Sequence, residues 1–171
     1  GRSGGMDNPD VLYAGTENGV FVRSTPGGTL NPTSTVFPGG GVADIALDPN
    51  DWQHAFVASS TGVWETTNAG NSWVNRTGNL GNSNIRTIEF AEQGAVDTIL
   101  VGGLTGVSRM ITDDPGDWHE YGQFLPNAVV YDLDFDAGDN VLIAGTLGRG
   151  AWKITNASDT LTTPGLVRVN G

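Results

Sequence analysis

The chain contains four copies of one short sequence pattern, and this repeat constrains the fold more than any other feature. The copies read VLYAGTENGVF from Val11, AFVASSTGVWE from Ala55, ILVGGLTGVSR from Ile99 and VLIAGTLGRGAWKI from Val141. Counted between Tyr13, Val57, Val101 and Ile143, the steps are 44, 44 and 42 residues. A period of this length indicates an array of similar structural units that stack on their neighbours.

Each copy of the pattern predicts a β-hairpin. A short run of β-branched, aromatic and small residues meets a turn that contains glycine, and a second such run follows at once. The turn glycines stand just before the second run, where a positive φ angle costs glycine little. They are Gly19, Gly62, Gly106 and Gly150.

Further strands are predicted on both sides of the hairpins. Upstream runs read VADIALDP from Val42, IRTIEFAE from Ile85 and VYDLDFDA from Val130. Their apolar residues alternate, so that Leu133 and Phe135, for example, share one strand face. Downstream runs read SWVNRT from Ser72 and DWHEY from Asp117. Four antiparallel strands in each unit make one propeller blade, so we predict an all-β chain: a β-propeller of four blades of about 43 residues, or half of a larger ring.

Composition agrees with this fold and excludes two classes of partner. The 171 residues include 26 glycines and 8 prolines but no cysteine, and 19 acidic residues outnumber 8 basic ones to give a net charge of −11. Such a charge repels phosphate backbones, so nucleic acid is not expected as a partner. No apolar run of about 20 residues exists, so membrane insertion is not expected. An acidic chain without cysteine is compatible with an extracellular or periplasmic location.

A second motif lies in the second unit. The segment TTNAGNSW carries a hydroxyl, an amide, a glycine, another hydroxyl and an indole at regular spacing. An Asn side chain at this position can bond the backbone of its own turn, the glycine takes the strained conformation, and the tryptophan covers the hairpin. These residues are Thr66, Asn68, Gly70, Ser72 and Trp73.

The motif resembles the Asp-box of bacterial neuraminidase-type repeats, with Asn in the Asp position and the hydroxyl residues exchanged. With the hairpins and the DIALDP strand, it is similar to the sortilin-like and xyloglucanase-like branch of Asp-box propellers over about Asp10 to Thr160. The resemblance implies the fold, and structural roles for the five motif residues. It leaves the activity open, because the Asp-box occurs in hydrolases, assembly factors and sorting receptors alike.

Two carboxylates are the candidates for catalysis if the chain is part of a glycoside hydrolase, an activity that needs a pair of acids flanking the scissile bond. Asp44 and Asp132 stand at similar places in the upstream strands. The alternative is that acids in this strand are structural features of a non-catalytic blade. A sialidase is not expected, because the seven arginines are scattered along the sequence.

The densest group of acids is a weak candidate for calcium, the one cofactor that we consider. It lies in YDLDFDAGDN and resembles the start of a calcium loop, but Ala137 stands where such a loop has glycine, and the distal Glu is missing. The alternative is that the acids share the polar face of a strand. They are Asp132, Asp134, Asp136 and Asp139. For His54 and His119, which are isolated in sequence, we expect a surface or packing role.

The units can be delimited on the sequence. Residues 1–9 comprise GRSGGM, which resembles a cloning remnant, and a leading loop. We predict blade 1 at 10–41 without its innermost strand, blade 2 at 42–80, blade 3 at 81–127, blade 4 at 128–164 and a closing strand at 165–171.

Open blade faces and strand edges need partners, so closure of the ring bears on function. A four-bladed monomer, an eight-bladed ring of two copies and a piece of a longer protein are the three possibilities, and we favour the last two. We therefore expect a non-catalytic module of a larger secreted protein that binds protein or glycan or serves as a scaffold. It would self-associate or use a companion chain to complete the ring. The alternative is part of a secreted, β-glucan-active glycoside hydrolase with a two-carboxylate mechanism.

Overall fold

The computed structural model describes residues 2–3, 6–81, 84–122, 125–126 and 128–163. Nearly all regular structure in these residues is β-strand. The strands of the first half are β1 (Arg2–Ser3), β2 (Met6–Asp7), β3 (Leu12–Thr16), β4 (Gly19–Arg23), β5 (Asn31–Pro32), β6 (Val42–Leu47), β7 (Ala55–Ser59), β8 (Gly62–Thr66) and β9 (Val74–Asn75). They are followed by β10 (Thr87–Ala91), β11 (Thr98–Gly103), β12 (Gly106–Ile111), β13 (Trp118–Tyr121), β14 (Val130–Asp136), β15 (Val141–Thr146), β16 (Gly150–Thr155) and the helical turn α1 (Ser158–Leu161).

Strands that follow one another in sequence pair antiparallel, as the hairpin repeats predict. β1 and β2 form a small two-stranded sheet. The first large sheet contains β3 to β5, the second β6 to β9, the third β10 to β13 and the fourth β14 to β16. The predicted all-β architecture of four antiparallel sheets is confirmed, although the first and fourth sheets have three strands each in the described residues.

The four predicted turn glycines all have positive φ angles: 126° at Gly19, 134° at Gly62, 98° at Gly106 and 76° at Gly150. These values lie in a region that side chains disfavour, which explains why the sequence pattern places glycine there. The fourth repeat differs from expectation. Its downstream segment forms α1 instead of an outer strand. The predicted closing segment 165–171 lies outside the described residues, and the predicted blade limits stay a prediction.

The chain divides into two compact units, residues 1–76 and 77–171. In unit 1, the first and second sheets pack around Val20, Phe37 and Val57. The Phe37 ring meets the Trp73 ring nearly edge-on, with their centroids 4.9 Å apart. Edge-to-face packing of this kind adds to the stabilisation from burial alone.

In unit 2, the third and fourth sheets enclose a larger core. The fourth sheet supplies Leu133, with Phe135 packed against the cluster, as the period-two spacing predicts. The third sheet supplies Leu100 and Val107, among others, and α1 adds the fully buried Leu161. The apolar face of the fourth sheet is thus covered within its own unit.

Among the described residues, the one helix has four residues, and no helix is long and apolar enough to cross a membrane.

Candidate functional site

The predicted motif residues of the second sheet come together in one hydrogen-bonded turn after β8. The Thr66 hydroxyl is buried and accepts a hydrogen bond from the Gly70 amide at 2.9 Å while donating to Asn68 Oδ1 at 3.0 Å. Asn68 Oδ1 also accepts from the Ser72 amide at 2.8 Å, and Asn68 Nδ2 donates to Ser72 Oγ at 2.8 Å. The side chains thus satisfy backbone groups that the sharp turn leaves without strand partners.

The same turn contacts the segment that leaves the first sheet. The Thr35 amide donates to the Gly70 carbonyl at 3.2 Å, and the Thr35 hydroxyl donates to the Asn71 carbonyl at 2.6 Å. Gly70 has φ of +80°, and a Cβ there would lie 2.3 Å from Thr33 Cγ2. Glycine is required here by both the backbone conformation and the close approach.

The Trp73 ring lies next to Gly70 of this turn and has one unsatisfied group. Its Nε1 is buried and has no hydrogen-bond partner among the described residues. The indole contributes through its packing on Phe37. The turn therefore holds the second sheet against the segment that follows the last strand of the first sheet.

A related contact recurs in unit 2. The Trp118 amide donates to Asn79 Oδ1 at 2.6 Å, and Asn79 Nδ2 donates to Asp117 Oδ1 at 2.8 Å. The Asn79 amide donates to the Gly116 carbonyl at 3.1 Å. Hydrogen bonds between a turn and the segment from the preceding sheet thus occur in both units, although the third repeat makes them with different residues from the second.

The two candidate catalytic acids occupy equivalent β-bulges. The pairing register shifts between Val42 and Asp44 on β6, and between Val130 and Asp132 on β14. Asp44 Oδ1 accepts a hydrogen bond from the Ile45 amide at 2.8 Å. Asp44 belongs to unit 1 and Asp132 to unit 2, so neither unit holds both members of the pair.

The acids considered for calcium lie along β14 and in the turn that follows it. Asp132 and Asp134 are exposed on the face of the fourth sheet that points away from its core. Asp136 Oδ1 instead accepts hydrogen bonds from the Gly138 and Asp139 amides, at 2.8 and 3.0 Å. In the described part of the chain, no three His, Cys, Asp or Glu side chains are grouped so that they could hold a metal ion. Calcium binding stays a prediction.

His54 is not isolated in the fold, unlike in the sequence. Its Nδ1 lies 3.1 Å from Asp48 Oδ2, its Nε2 lies 2.9 Å from Glu65 Oε1, and Arg76 Nε donates to Glu65 Oε2 at 2.6 Å. The hydrogen bond to Glu65 is the main cause that raises the pKa of His54. Burial acts to raise the pKa of Glu65, but its hydrogen bonds and ion pairs with His54 and Arg76 outweigh burial and lower it.

Arg109 on β12 fastens the end of the described chain to the third sheet. It is 3% exposed and donates to the Thr160 carbonyl at 3.1 Å, and also to the carbonyls of Leu161 and Thr163. The Tyr121 hydroxyl bonds to Thr160 Oγ1 at 2.8 Å. Desolvation lowers the pKa of Arg109, whose charge is met by carbonyl dipoles at the end of α1. Nothing in the local sequence around Arg109 predicts this contact.

One end of unit 2 carries exposed apolar and cationic residues that the sequence reasoning missed. An open hollow of about 300 Å³ is lined by Leu104, Ala128, Val129, Leu147 and Arg149. Two residues along the chain from Val129, the Tyr131 ring lies under the exposed Arg86 guanidinium, 5.6 Å from the ring centroid. Tyr131 lies within the β14 bulge, and bulges re-aim side chains at sheet ends. We call this the turn-end surface: Arg86, Leu104, Val129, Tyr131, Leu147 and Arg149.

Solved structures of similar fold lend support to the architecture. The chain is similar to the extracellular domain of a protein provisionally assigned as a one-component system in B. thetaiotaomicron, with TM-score 0.67 and 20% identity over 91% of this chain and 21% of that one. It is similar to YCF48 bound to D1 peptide, with TM-score 0.59 and 15% identity over 91% and 54% of the two chains. It is also similar to the GH74 enzyme of Niastella koreensis, with TM-score 0.62 and 17% identity over 88% and 27%.

These likenesses, together with the four antiparallel sheets, define a β-propeller fold. The chain spans between about a fifth and about half the length of these solved structures. No protein-family model matches the sequence. No curated protein matches it either.

Proposed function

We propose that this chain is a non-catalytic β-propeller module that binds protein or glycan or acts as a scaffold, within a larger secreted protein or as a self-assembling part of one. The observation that carries the proposal is the free face of the fourth sheet. β7 and β11, at the equivalent position in the second and third sheets, are buried along their whole length. β15 instead alternates, and Ile143 is 39% exposed. In a stack of sheets, a face of this kind is the one that a further blade would cover.

The 66–73 turn supports an Asp-box assignment in the sortilin-like and xyloglucanase-like branch. Its Thr66, Asn68 and Ser72 side chains bond the turn backbone and one another, as the motif requires. Under this assignment, the motif residues stabilise the turn and do not contact a substrate. An extracellular location is part of the proposal, and two of the similar structures are extracellular domains.

Binding is favoured over catalysis by the surroundings of the two candidate acids. Asp44 bonds the next backbone amide, and Asp132 stands on an exposed sheet face. A glycoside hydrolase needs two carboxyl groups within about 10 Å across the scissile bond. The YCF48 structure contains a bound D1 peptide, which makes a protein segment a concrete class of ligand to test for this chain.

The alternative is part of a secreted, β-glucan-active glycoside hydrolase, favoured by the fold likeness to GH74 enzymes. A reducing-sugar assay on soluble β-glucans separates the two. We expect no turnover by the unchanged protein. Turnover that is abolished by Asp44→Asn and by Asp132→Asn, but kept by Asp113→Asn at an exposed acid outside the candidate pair, would overturn the proposal.

A further inference from the structure

We propose that the turn-end surface of unit 2 is a docking site for an extended protein segment that carries carboxylates beside apolar side chains. This inference rests on the proposed function and gives that function a place and a class of partner. Three properties of the surface support it: its apolar content, its charge and its ordered framework.

The apolar content is concentrated at the tips of two hairpins. Leu104 in the β11–β12 turn is 47% exposed, and Leu147 in the β15–β16 turn is 62% exposed. Both line the hollow of about 300 Å³, together with Val129 and Ala128. Aliphatic side chains held in solvent around a concave surface lose contact with water when a partner covers them, and this is the main source of affinity at protein interfaces.

The charge of the surface is opposite to that of the whole chain. The net charge is −11, and only 8 residues of the chain are basic. Arg86 and Arg149 are both exposed, and neither has a carboxylate at ion-pair distance among the described residues. Arg109, in the same unit, already donates its hydrogen bonds to backbone carbonyls. Two unpaired guanidinium groups favour a carboxylate-bearing partner, since Arg binds carboxylates with two parallel hydrogen bonds.

The framework of the surface is already ordered by contacts within unit 2. The Leu147 amide donates to the Val129 carbonyl at 2.9 Å, which joins the hairpin tip to the floor of the hollow. Trp152 Nε1 donates to the Arg149 carbonyl at 3.1 Å, which holds the backbone of the same turn. An ordered surface loses less conformational entropy on binding than a mobile one.

A protein segment fits this surface better than a glycan does. Sugars stack on open aromatic faces, whereas the hollow is lined by aliphatic residues and Arg149, and Arg86 covers one face of the Tyr131 ring. In an extended segment, residues two positions apart point to the same side. An apolar side chain on the side that faces the surface would reach the hollow, and an acidic one two positions along would reach Arg149 in its lining.

The test is selection from a library of random displayed peptides on the unchanged 171-residue protein, followed by fluorescence anisotropy with the enriched peptides. We expect enrichment of peptides that combine Asp or Glu with Leu, Ile, Val or Phe. The affinity should fall at least tenfold in the double variant Arg86→Glu/Arg149→Glu. It should change by less than twofold in Arg2→Glu, a control at an exposed cation of unit 1, outside both the turn-end surface and the fourth sheet. Circular dichroism should show that both variants keep the fold, because the substituted side chains are exposed.

Three outcomes would overturn the inference. The first is no enrichment, or an enriched set without acidic residues. The second is undiminished binding by the double variant, which would leave the proposed binding function standing with its site elsewhere. The third is a glycan array that the unchanged protein binds and the double variant does not, which would reject the peptide class. Failure of the proposed function itself is distinct, because it would appear as β-glucan turnover.

Discussion

The Thr66 hydroxyl shows how one side-chain atom can determine a turn. It is 1% exposed, lies at the end of β8 and bonds three groups of its own turn: Asn68 Oδ1 and the amides of Asn68 and Gly70. Valine has nearly the same shape as threonine but no hydroxyl. Thr66→Val would therefore keep the packing and leave a buried backbone amide without an acceptor.

We expect Thr66→Val to lower the free energy of unfolding by about 1–3 kcal/mol, the cost of an unsatisfied buried donor. Chemical denaturation followed by tryptophan fluorescence measures this change. Thr29→Val is the control, because Thr29 is exposed and should tolerate the substitution within about 0.5 kcal/mol. Equal stability of the two variants would contradict the structural role given to Thr66.

At this scale, the sequence predicts interactions that are local and misses those that are not. The turn at 66–73 could be predicted because its donors and acceptors lie within four residues of one another. The contacts of His54 with Glu65 and of Arg109 with Thr160 span 11 and 51 residues. Such contacts depend on strand register and sheet packing, which a single sequence does not specify.

At the scale of elements, the His54 network joins residues that lie in or next to each of the four strands of the second sheet. Asp48 follows β6, His54 precedes β7, Glu65 lies on β8 and Arg76 follows β9. The His54 ring also packs on Phe56, with centroids 5.1 Å apart. The network is half-buried, so its charges are screened less than those of surface ion pairs.

The network should make stability depend on pH in a defined direction. The pKa of His54 is raised in the folded protein, so its contribution is fully present below the ordinary pKa of about 6.5 and is lost as the pH rises through the folded value. The pKa of Glu65 is lowered, so its contribution is present above its ordinary value and is lost as the pH falls through the folded one. Stabilisation is therefore greatest in mildly acidic solution.

We expect the unchanged protein to lose more unfolding free energy between pH 5.5 and pH 8.5 than His54→Gln does, when both are measured by urea denaturation. His119→Gln is the matched control, because that ring is exposed and pairs with Asp117 alone among the described groups. The control should follow the unchanged protein. If the two histidine variants show the same pH dependence, the network does not contribute in this way.

The elements themselves follow from the repeat with one informative exception. Alternating residues and turn glycines predict the hairpins of every sheet, because both signals come from the strand itself. The fourth repeat forms α1 where the other repeats suggested an outer strand. The segment is held by Arg109 and by the burial of Leu161, contacts with the third sheet that only the folded chain reveals.

At the scale of the whole molecule, the exposed face of the fourth sheet is the proposed site of assembly. Ile143 lies at the middle of that face, between Asp134 and Lys153 in the register of the strands. A stable interface between two proteins buries about 1,200–2,000 Å² in total. A second copy of the chain is one partner that can cover the face, and the rest of a longer protein is another.

Substitution of Ile143 tests whether the face is covered by a second copy of the chain or by the rest of a longer protein. We expect light scattering of the unchanged protein to give a mass that rises above 17.8 kDa with concentration, since the proposal includes pairing of two copies. Ile143→Arg should return the mass to that of one chain, because a long charged side chain in the middle of the face loses its hydration when a second copy covers it. Val36→Arg, at a residue 84% exposed in unit 1, should leave the mass of the unchanged protein as it was. A mass of one chain for the unchanged protein at every concentration would remove self-association and leave the module as part of a longer protein.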